Sequence, residues 1–236
     1  MNLLLLRAGE LSADGTARLT GRRLLHAREV LRLTRGDMLR VGVLDGLTGV
    51  AEVLHLDAQE LVLRPLLTEP PPPRAGIDLL LAVPRPKALR KVLPAAAALG
   101  VGRVVLVNAA RVEKSYFDSK ALAPDAIREL LVLGLEQARD TRLPEVLVRE
   151  RFRPFVEDEL VGLWPAAARF VAHPAAEAAP PPRPQPAVIA IGPEGGWVPF
   201  EIELLRAQRF SAFTLGPRTL RVEVAVPYVL GALRAR

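Results

Sequence analysis

Hydrophobic positions are spaced differently on the two sides of Pro70–Pro73. On the N-terminal side, Arg22–Leu31 has helical spacing and offers Leu25, Val30 and Leu31 to a core. Met38–Leu44, Val50–Leu56 and Glu60–Leu67 then read as strands. They are parted by Leu44-Asp45-Gly46 and Leu56-Asp57, of which Asp45-Gly46 suits a turn. This is the pattern of a small β-barrel with one helix. On the C-terminal side strands and helices alternate. Ile77–Val83, Arg103–Asn108 and Ala187–Ile191 are continuous apolar runs, as expected of parallel strands buried on both faces. Lys87–Leu99, Pro124–Gln137, Pro199–Gln208 and Arg221–Arg234 read as helices, with kinks expected at Pro94 and Pro227. A short strand, Ala212–Leu215, precedes the last helix. Together these make an open α/β sheet.

Four consecutive prolines are stiff and extended, so the predicted boundary falls there, with one domain over residues 1–69 and a second over 74–236. Pro180, Pro181, Pro182, Pro184 and Pro186 form another spacer, read as a surface loop of the second domain. No internal repeat is visible.

Composition narrows the classes. Half of the 236 residues are hydrophobic and a quarter charged, which is the balance of a globular chain. No apolar run reaches the ~18 residues of a membrane span. Leu3–Leu6 has no basic segment before it and ends at Arg7, which argues against a secretory signal and for the cytoplasm. Without cysteine, disulfides, iron–sulfur clusters, thiolate zinc sites and cysteine nucleophiles are excluded. His26, His55 and His173 are the only histidines, so no metal centre is expected. Basic residues number 32 against 26 acidic ones, and all but Lys87, Lys91, Lys114 and Lys120 are arginine. Arginine forks onto phosphate and stacks on bases. The net excess falls within residues 70–153. In the first domain, however, Arg18, Arg22, Arg23, Arg28, Arg32, Arg35 and Arg40 face only Glu29 and Asp37. That cluster suits a basic face for nucleic acid, and equally a solvated helix face.

Two loops carry candidate chemistry. Ala187–Ile191 runs into Gly192-Pro193-Glu194-Gly195-Gly196-Trp197, and a helix opens at Pro199, a favoured first-turn proline. Strand, glycine loop and helix N-terminus allow close backbone approach to a ligand. The spacing is not that of a dinucleotide fingerprint and no P-loop lysine follows, which disfavours a dinucleotide or nucleoside triphosphate. By itself it also fits a plain strand–helix turn. The second loop, Leu215-Gly216-Pro217-Arg218-Thr219-Leu220-Arg221-Val222-Glu223-Val224-Ala225, leads into the last helix. There Arg221 is placed to hold an anion, and Glu223 to favour the helix dipole or simply to cap.

Ile191–Trp197, followed by Leu215–Glu223, closely resembles the RsmE family. Its members are SPOUT-class, trefoil-knot methyltransferases acting on N3 of a uridine in 16S ribosomal RNA. His26…Val30-Leu31-Arg32…Gly36-Asp37, Glu136-Gln137…Pro144-Glu145 and His173-Pro174 extend the resemblance along the chain. It implies an N-terminal PUA-like, RNA-binding β-barrel over 1–69 and a C-terminal SPOUT trefoil-knot domain with a parallel sheet over 74–236. It also implies S-adenosylmethionine as methyl donor, 16S ribosomal RNA or the small ribosomal subunit as partner, and a homodimer. Carried onto this chain, the cofactor loops comprise Gly192, Gly195, Gly196, Leu215, Gly216 and Leu220, with Ile191 and His173. RNA contacts are expected from Arg22, Arg23, Arg28 and Arg32, and from Lys114 and Lys120 of the later domain.

Methylation at N3 requires loss of its proton and alignment of the lone pair with the sulfonium methyl, so the protein supplies mainly positioning and charge stabilisation. Arg221 is the candidate for stabilising uracil oxygen charge or gripping a phosphate. Glu223 is the candidate proton acceptor, or the group that orients Arg221. The chain departs from the family pattern in three places. Val222 and Val224 stand where the motif has threonines. Ala95-Ala96-Ala97-Ala98 replaces a segment with a lysine and a glutamate. Asp140 occupies an arginine position, with Arg139 one place early. These departures leave open a SPOUT methyltransferase with another target atom, and a non-catalytic RNA-binding or ribosome-assembly protein. A nicotinamide-dependent dehydrogenase lacks its fingerprint here.

Overall fold

The computed structural model describes residues 2–179 and 186–234. Two compact units emerge. One holds the chain up to Pro73 together with Leu135–Leu143, and the other holds Arg74–Gly134 and the chain from Pro144 onward. Pro70–Pro73 has no regular structure.

The N-terminal unit is built on a five-stranded sheet in the order β1-β3-β4-β5-β2. Its strands are β1 (Leu4–Leu6), β2 (Ala17–Leu19), β3 (Met38–Val43), β4 (Thr48–Leu56) and β5 (Leu61–Glu69). The pairings β3–β4, β4–β5 and β5–β2 are antiparallel, while β1 lies parallel to β3. β1 and β2 end the order, so the small β-barrel expected from the sequence is seen as a five-stranded half-barrel. Leu4, Leu6, Leu19, Val41, Val53, Leu61 and Leu63 form its core.

Helix α1 (Gly21–Leu25) continues as a wider π-turn over His26–Val30. Leu24 and Ala27 are the buried residues, whereas Leu25, Val30 and Leu31 are exposed. This corrects the core assignment made from spacing. A π-turn takes more residues per turn than 3.6, so the positions after His26, Val30 and Leu31 among them, rotate off the expected face, while Leu25 precedes that turn and is exposed beside the buried Leu24. The returning segment closes this unit: the Asn2 and Leu3 N–H groups donate to the Glu136 carbonyl, and Thr141 Oγ1 donates to the Gly46 carbonyl at 2.6 Å.

The C-terminal unit has a six-stranded sheet in the order β11-β9-β10-β6-β7-β8, every pairing parallel. Its strands are β6 (Ile77–Ala82), β7 (Arg103–Val107), β8 (Glu145–Arg149), β9 (Ala168–Ala172), β10 (Ala187–Ile191) and β11 (Ser211–Phe213). The three apolar runs recognised in the sequence are the central strands β10, β6 and β7. Its helices are α2 (Pro86–Ala98), α3 (Lys114–Phe117), α4 (Pro124–Ala138, whose residues from Leu135 belong to the N-terminal unit), α5 (Phe152–Pro154), α6 (Leu160–Leu163), α7 (Pro199–Ala207) and α8 (Val222–Arg234). The chain moves outward from β6 through β7 to β8, then crosses to β9 on the other side of β6. Pro94 and Pro227 lie inside helices that run through them. Of the second proline spacer, Pro180, Pro181, Pro182 and Pro184 lie outside the described residues. No helix among the described residues is long and apolar enough to cross a membrane.

Candidate functional site

Because β9, β10 and β11 are parallel neighbours, the loops that follow them leave the same edge of the sheet. Ligands of open α/β sheets bind at such carboxyl ends, where the strand order reverses. Here the three loops enclose a cleft of about 400 Å³. The β9 loop contributes Ala172–Ala175, the β10 loop Ile191–Trp197, and the β11 loop Thr214–Leu220, while Val222 and Ala225 of α8 complete the wall. His173, Ile191, Gly192, Gly195, Gly196, Leu215, Gly216 and Leu220, singled out from the sequence, all line it.

Hydrogen bonds hold the loops in register. The His173 N–H donates to the Phe213 carbonyl at 2.9 Å and the Thr214 N–H to the Ala178 carbonyl at 2.8 Å, tying the β9 and β11 loops together. His173 Nδ1 accepts from the Ala175 N–H at 3.2 Å, which leaves Nε2 as the remaining polar atom of the ring. Gly216 sits at φ +103°, a left-handed value that glycine tolerates and a β-branched residue does not. Glu201 is 3% exposed on α7, with each oxygen accepting a backbone N–H. Oε1 takes Ala110 at 2.7 Å and Oε2 takes Val198 at 2.9 Å. It thereby staples the segment after β7 to the end of the glycine loop. Arg111, next to Ala110, then donates from Nη1 to the Gly195 carbonyl and lines the cleft. At the same loop, Glu194 Oε1 accepts the Arg85 N–H at 3.2 Å.

Arg111, Glu201 and Trp197 escaped functional assignment in the sequence. Arg111 is a solitary arginine in a loop, and Glu201 follows Val198 rather than the hydroxyl residue that marks a capping box. Trp197 directly follows Gly195-Gly196, and a lone tryptophan there reads equally well as core.

The two candidate catalytic residues flank the cleft without lining it. Arg221 is exposed, its carbonyl accepting the Val224 and Ala225 N–H groups at the start of α8. Glu223 is paired with Lys91 Nζ at 3.8 Å. The departures from the family pattern fall in different surroundings. Val222 is buried in the cleft wall, while Val224 is exposed. Ala96 and Ala97 are buried in α2. Asp140 is buried, its Oδ1 accepting the Thr141 and Arg142 N–H groups at 2.7 and 3.0 Å, so it caps the turn after α4.

The expected RNA-facing residues divide by what their charges touch. Lys114 and Lys120 are exposed in the C-terminal unit. In the N-terminal unit, Arg32 is exposed at φ +53° and Arg28 pairs with Glu29 at 3.0 Å. Arg22 reaches Glu136 Oε2 at 2.9 Å. Arg23 is committed inward, donating to the Leu5 carbonyl at 2.7 Å and to Glu10. Burial raises the Glu10 pKa, but hydrogen bonds from Arg23 and the Arg7 backbone prevail and hold it below the usual carboxylate value. His26 Nε2 and Glu136 Oε1 are buried with no hydrogen-bond partner. Burial, helped by the Arg22 charge, keeps the His26 pKa low against the opposing pull of Glu136.

Comparison with known proteins assigns this architecture. Residues 71–234 match the model of the RNA methyltransferase domain family. Over 95% of its length the chain is 30% identical to the ribosomal RNA small subunit methyltransferase E of Treponema pallidum, covering 87% of that protein. The chain belongs to this family of RNA methyltransferases. A Synechocystis relative of the same name is 28% identical to the methyltransferase over 97% of this chain and 76% of its own. Among solved structures, the methyltransferase matches a Neisseria gonorrhoeae ribosomal RNA small subunit methyltransferase E bound to S-adenosyl methionine, with a TM-score of 0.79 and 20% identity. That match covers 99% of this chain and 97% of the other. A Legionella pneumophila methyltransferase in complex with the cofactor SAM gives 0.78 and 23%, covering 99% and 96%. Both matches are to the fold. The resemblance seen in the two loop motifs is thus borne out by comparisons spanning the whole chain.

Proposed function

We propose that this methyltransferase transfers the methyl group of S-adenosylmethionine to N3 of a uridine in 16S ribosomal RNA. The observation that carries the reading is the convergence of His173, the glycine loop and the Leu215–Leu220 loop on one cleft. The relatives named above act on small-subunit ribosomal RNA by name, and two solved neighbours of the same fold hold S-adenosylmethionine.

The cleft fits that cofactor. It is of the size that takes a small organic ligand. Glycine at 192, 195, 196 and 216 exposes backbone where side chains would fill the space, and a buried indole N–H in the wall has no partner. When bound, S-adenosylmethionine supplies an electrophilic methyl group on a sulfonium. The remaining work falls to this chain: the glycine loop and the Leu215–Leu220 loop hold the donor, Arg221 stabilises charge on the uracil oxygens or grips a phosphate, and Glu223 takes the N3 proton or orients Arg221. Arg221 has no ion-pair partner among the described residues, which leaves its guanidinium available for RNA. The Lys91–Glu223 pair instead ties Glu223 to α2.

In this reading the N-terminal unit is a PUA-like RNA-binding module, with Arg22, Arg28 and Arg32 on its basic face and Arg23 committed to Leu5 and Glu10, and the C-terminal unit is a SPOUT trefoil-knot domain adding Lys114 and Lys120. The enzyme is a cytoplasmic homodimer. Val224 and Tyr228, large apolar side chains about half exposed on α8, support a partner surface there.

The test is incubation with labelled S-adenosylmethionine and small ribosomal subunits lacking this modification, followed by nucleoside analysis. N3-methyluridine is expected. A different labelled nucleoside would move the target atom, as Val222 in the cleft wall allows. RNA binding without any methyl transfer would overturn the enzymatic reading.

A further inference from the structure

Resting on the cofactor reading above, we propose that the indole N–H of Trp197 is a hydrogen-bond donor to the S-adenosyl cofactor, which makes Trp197 a binding residue that neither loop glycine pattern reveals. The chain has two tryptophans, and they differ in one respect. Trp164 Nε1 donates to Asp78 Oδ2 at 2.8 Å. Trp197 Nε1 is buried and has no partner, although the residue is 5% exposed and lines the cleft.

An indole nitrogen is a donor only. A buried donor left unpaired costs more than an ordinary hydrogen bond contributes, so most such groups in native structures have a partner. Of the four buried unpaired side-chain atoms among the described residues, only that of Trp197 belongs to a residue lining the cleft. Local geometry restricts where that partner can be. A Cβ built on Gly192 would stand 3.2 Å from both Nε1 and Cδ1 of Trp197, so the pyrrole edge of the ring lies against the bare backbone of the glycine loop. The Phe152 ring packs on Trp197 with centroids 5.5 Å apart and planes at 44°, which opposes reorientation of the indole. Gly192 lies directly against the Trp197 nitrogen, so the hydrogen bond to the cofactor forms as the bare Gly192 backbone shifts on binding, with the indole ring left in place. The cofactor offers several acceptors of the required kind in its adenine nitrogens, ribose oxygens and carboxylate.

With two tryptophans, protein carrying 15N-labelled indole nitrogen gives two indole N–H resonances, assigned by Trp164→Phe. Adding S-adenosylmethionine is expected to move the Trp197 resonance downfield and leave that of Trp164 in place. By calorimetry, Trp197→Phe, which keeps an aromatic ring and removes the donor, is expected to weaken cofactor binding about five- to tenfold. Trp164→Phe is expected to leave the affinity unchanged. Cofactor binding with an unmoved Trp197 resonance, or with equal affinity in Trp197→Phe, would overturn the indole's part while sparing the cofactor reading. Wild-type protein that binds no S-adenosylmethionine would overturn both. The resonance is read on the wild-type chain, so the test stands even where Trp197→Phe fails to fold.

Discussion

In the C-terminal unit every strand pairing is parallel, so successive loops leave the same edge of the sheet and backbone groups gather around one cleft. In the N-terminal unit β3, β4 and β5 run antiparallel and their turns fall at alternate ends, so backbone is not gathered in that way. What that unit presents is side chains, with Arg28 and Arg32 beside exposed Leu25, Val30 and Leu31. The contrast separates two kinds of functional surface. A concave site follows from topology and glycine placement. A charged face depends on which guanidinium groups the protein has already used internally.

The largest expected effect concerns the staple that makes the cleft rigid. Glu201→Ala removes the buried carboxylate and its two charge-assisted hydrogen bonds from the Ala110 and Val198 N–H groups, and is expected to cost about 2–3 kcal/mol of stability in urea unfolding. Glu201→Gln keeps one acceptor and should lose less. Near-wild-type stability in Glu201→Ala would mean that the two loops are held by other means.

Next comes the cleft backbone. Valine at Gly216 is strained at that φ, and Gly216→Val is expected to weaken S-adenosylmethionine binding about a hundredfold in calorimetry, with RNA affinity little changed. Equal loss of both would blur the division of labour between the units.

The charged face supplies a smaller effect. Replacing Arg28 and Arg32 together by alanine is expected to weaken RNA binding about tenfold and flatten the salt dependence by about two units of slope. Arg23→Ala, by contrast, should leave the slope alone and cost about 1–2 kcal/mol of stability, because its donors face Glu10 and Leu5. The reverse pattern would show that partner accounting misassigns the face.

The smallest effect is in pH. A histidine whose folded pKa is depressed is neutral in the fold and gains a proton more readily when unfolded. Its contribution is complete above about pH 6.5 and is lost as pH falls through the folded value. The urea midpoint of wild type is therefore expected to fall on acidification from pH 8 to 5.5 by more than that of His26→Gln. Identical pH profiles would remove His26 from the account.

The two units were also unequally legible in the sequence. The buried parallel strands β6, β7 and β10 announce themselves because both faces are apolar, and β10 matches its predicted span residue for residue. β8 (Glu145–Arg149) and β9 (Ala168–Ala172) carry charged residues and are only partly buried, so no continuous run marks them. β1 and β2 have three residues each, too few for periodicity to register. Helical spacing does not locate Val30 and Leu31 because the π-turn over His26–Val30 breaks the 3.6-residue rhythm before them. Within the site, glycines and motif residues were visible because their spacing is local. Arg111 and Glu201 were not, since their contacts join segments 84 and 91 residues apart in the chain.

Hydrogen–deuterium exchange with and without S-adenosylmethionine tests the central claim most directly. Slowed exchange is expected in the loops after β9, β10 and β11, at residues 172–176, 191–197 and 214–221, with amides of the N-terminal sheet unchanged. Unchanged exchange in those three loops at saturating cofactor, or protection concentrated in the N-terminal sheet, would contradict it.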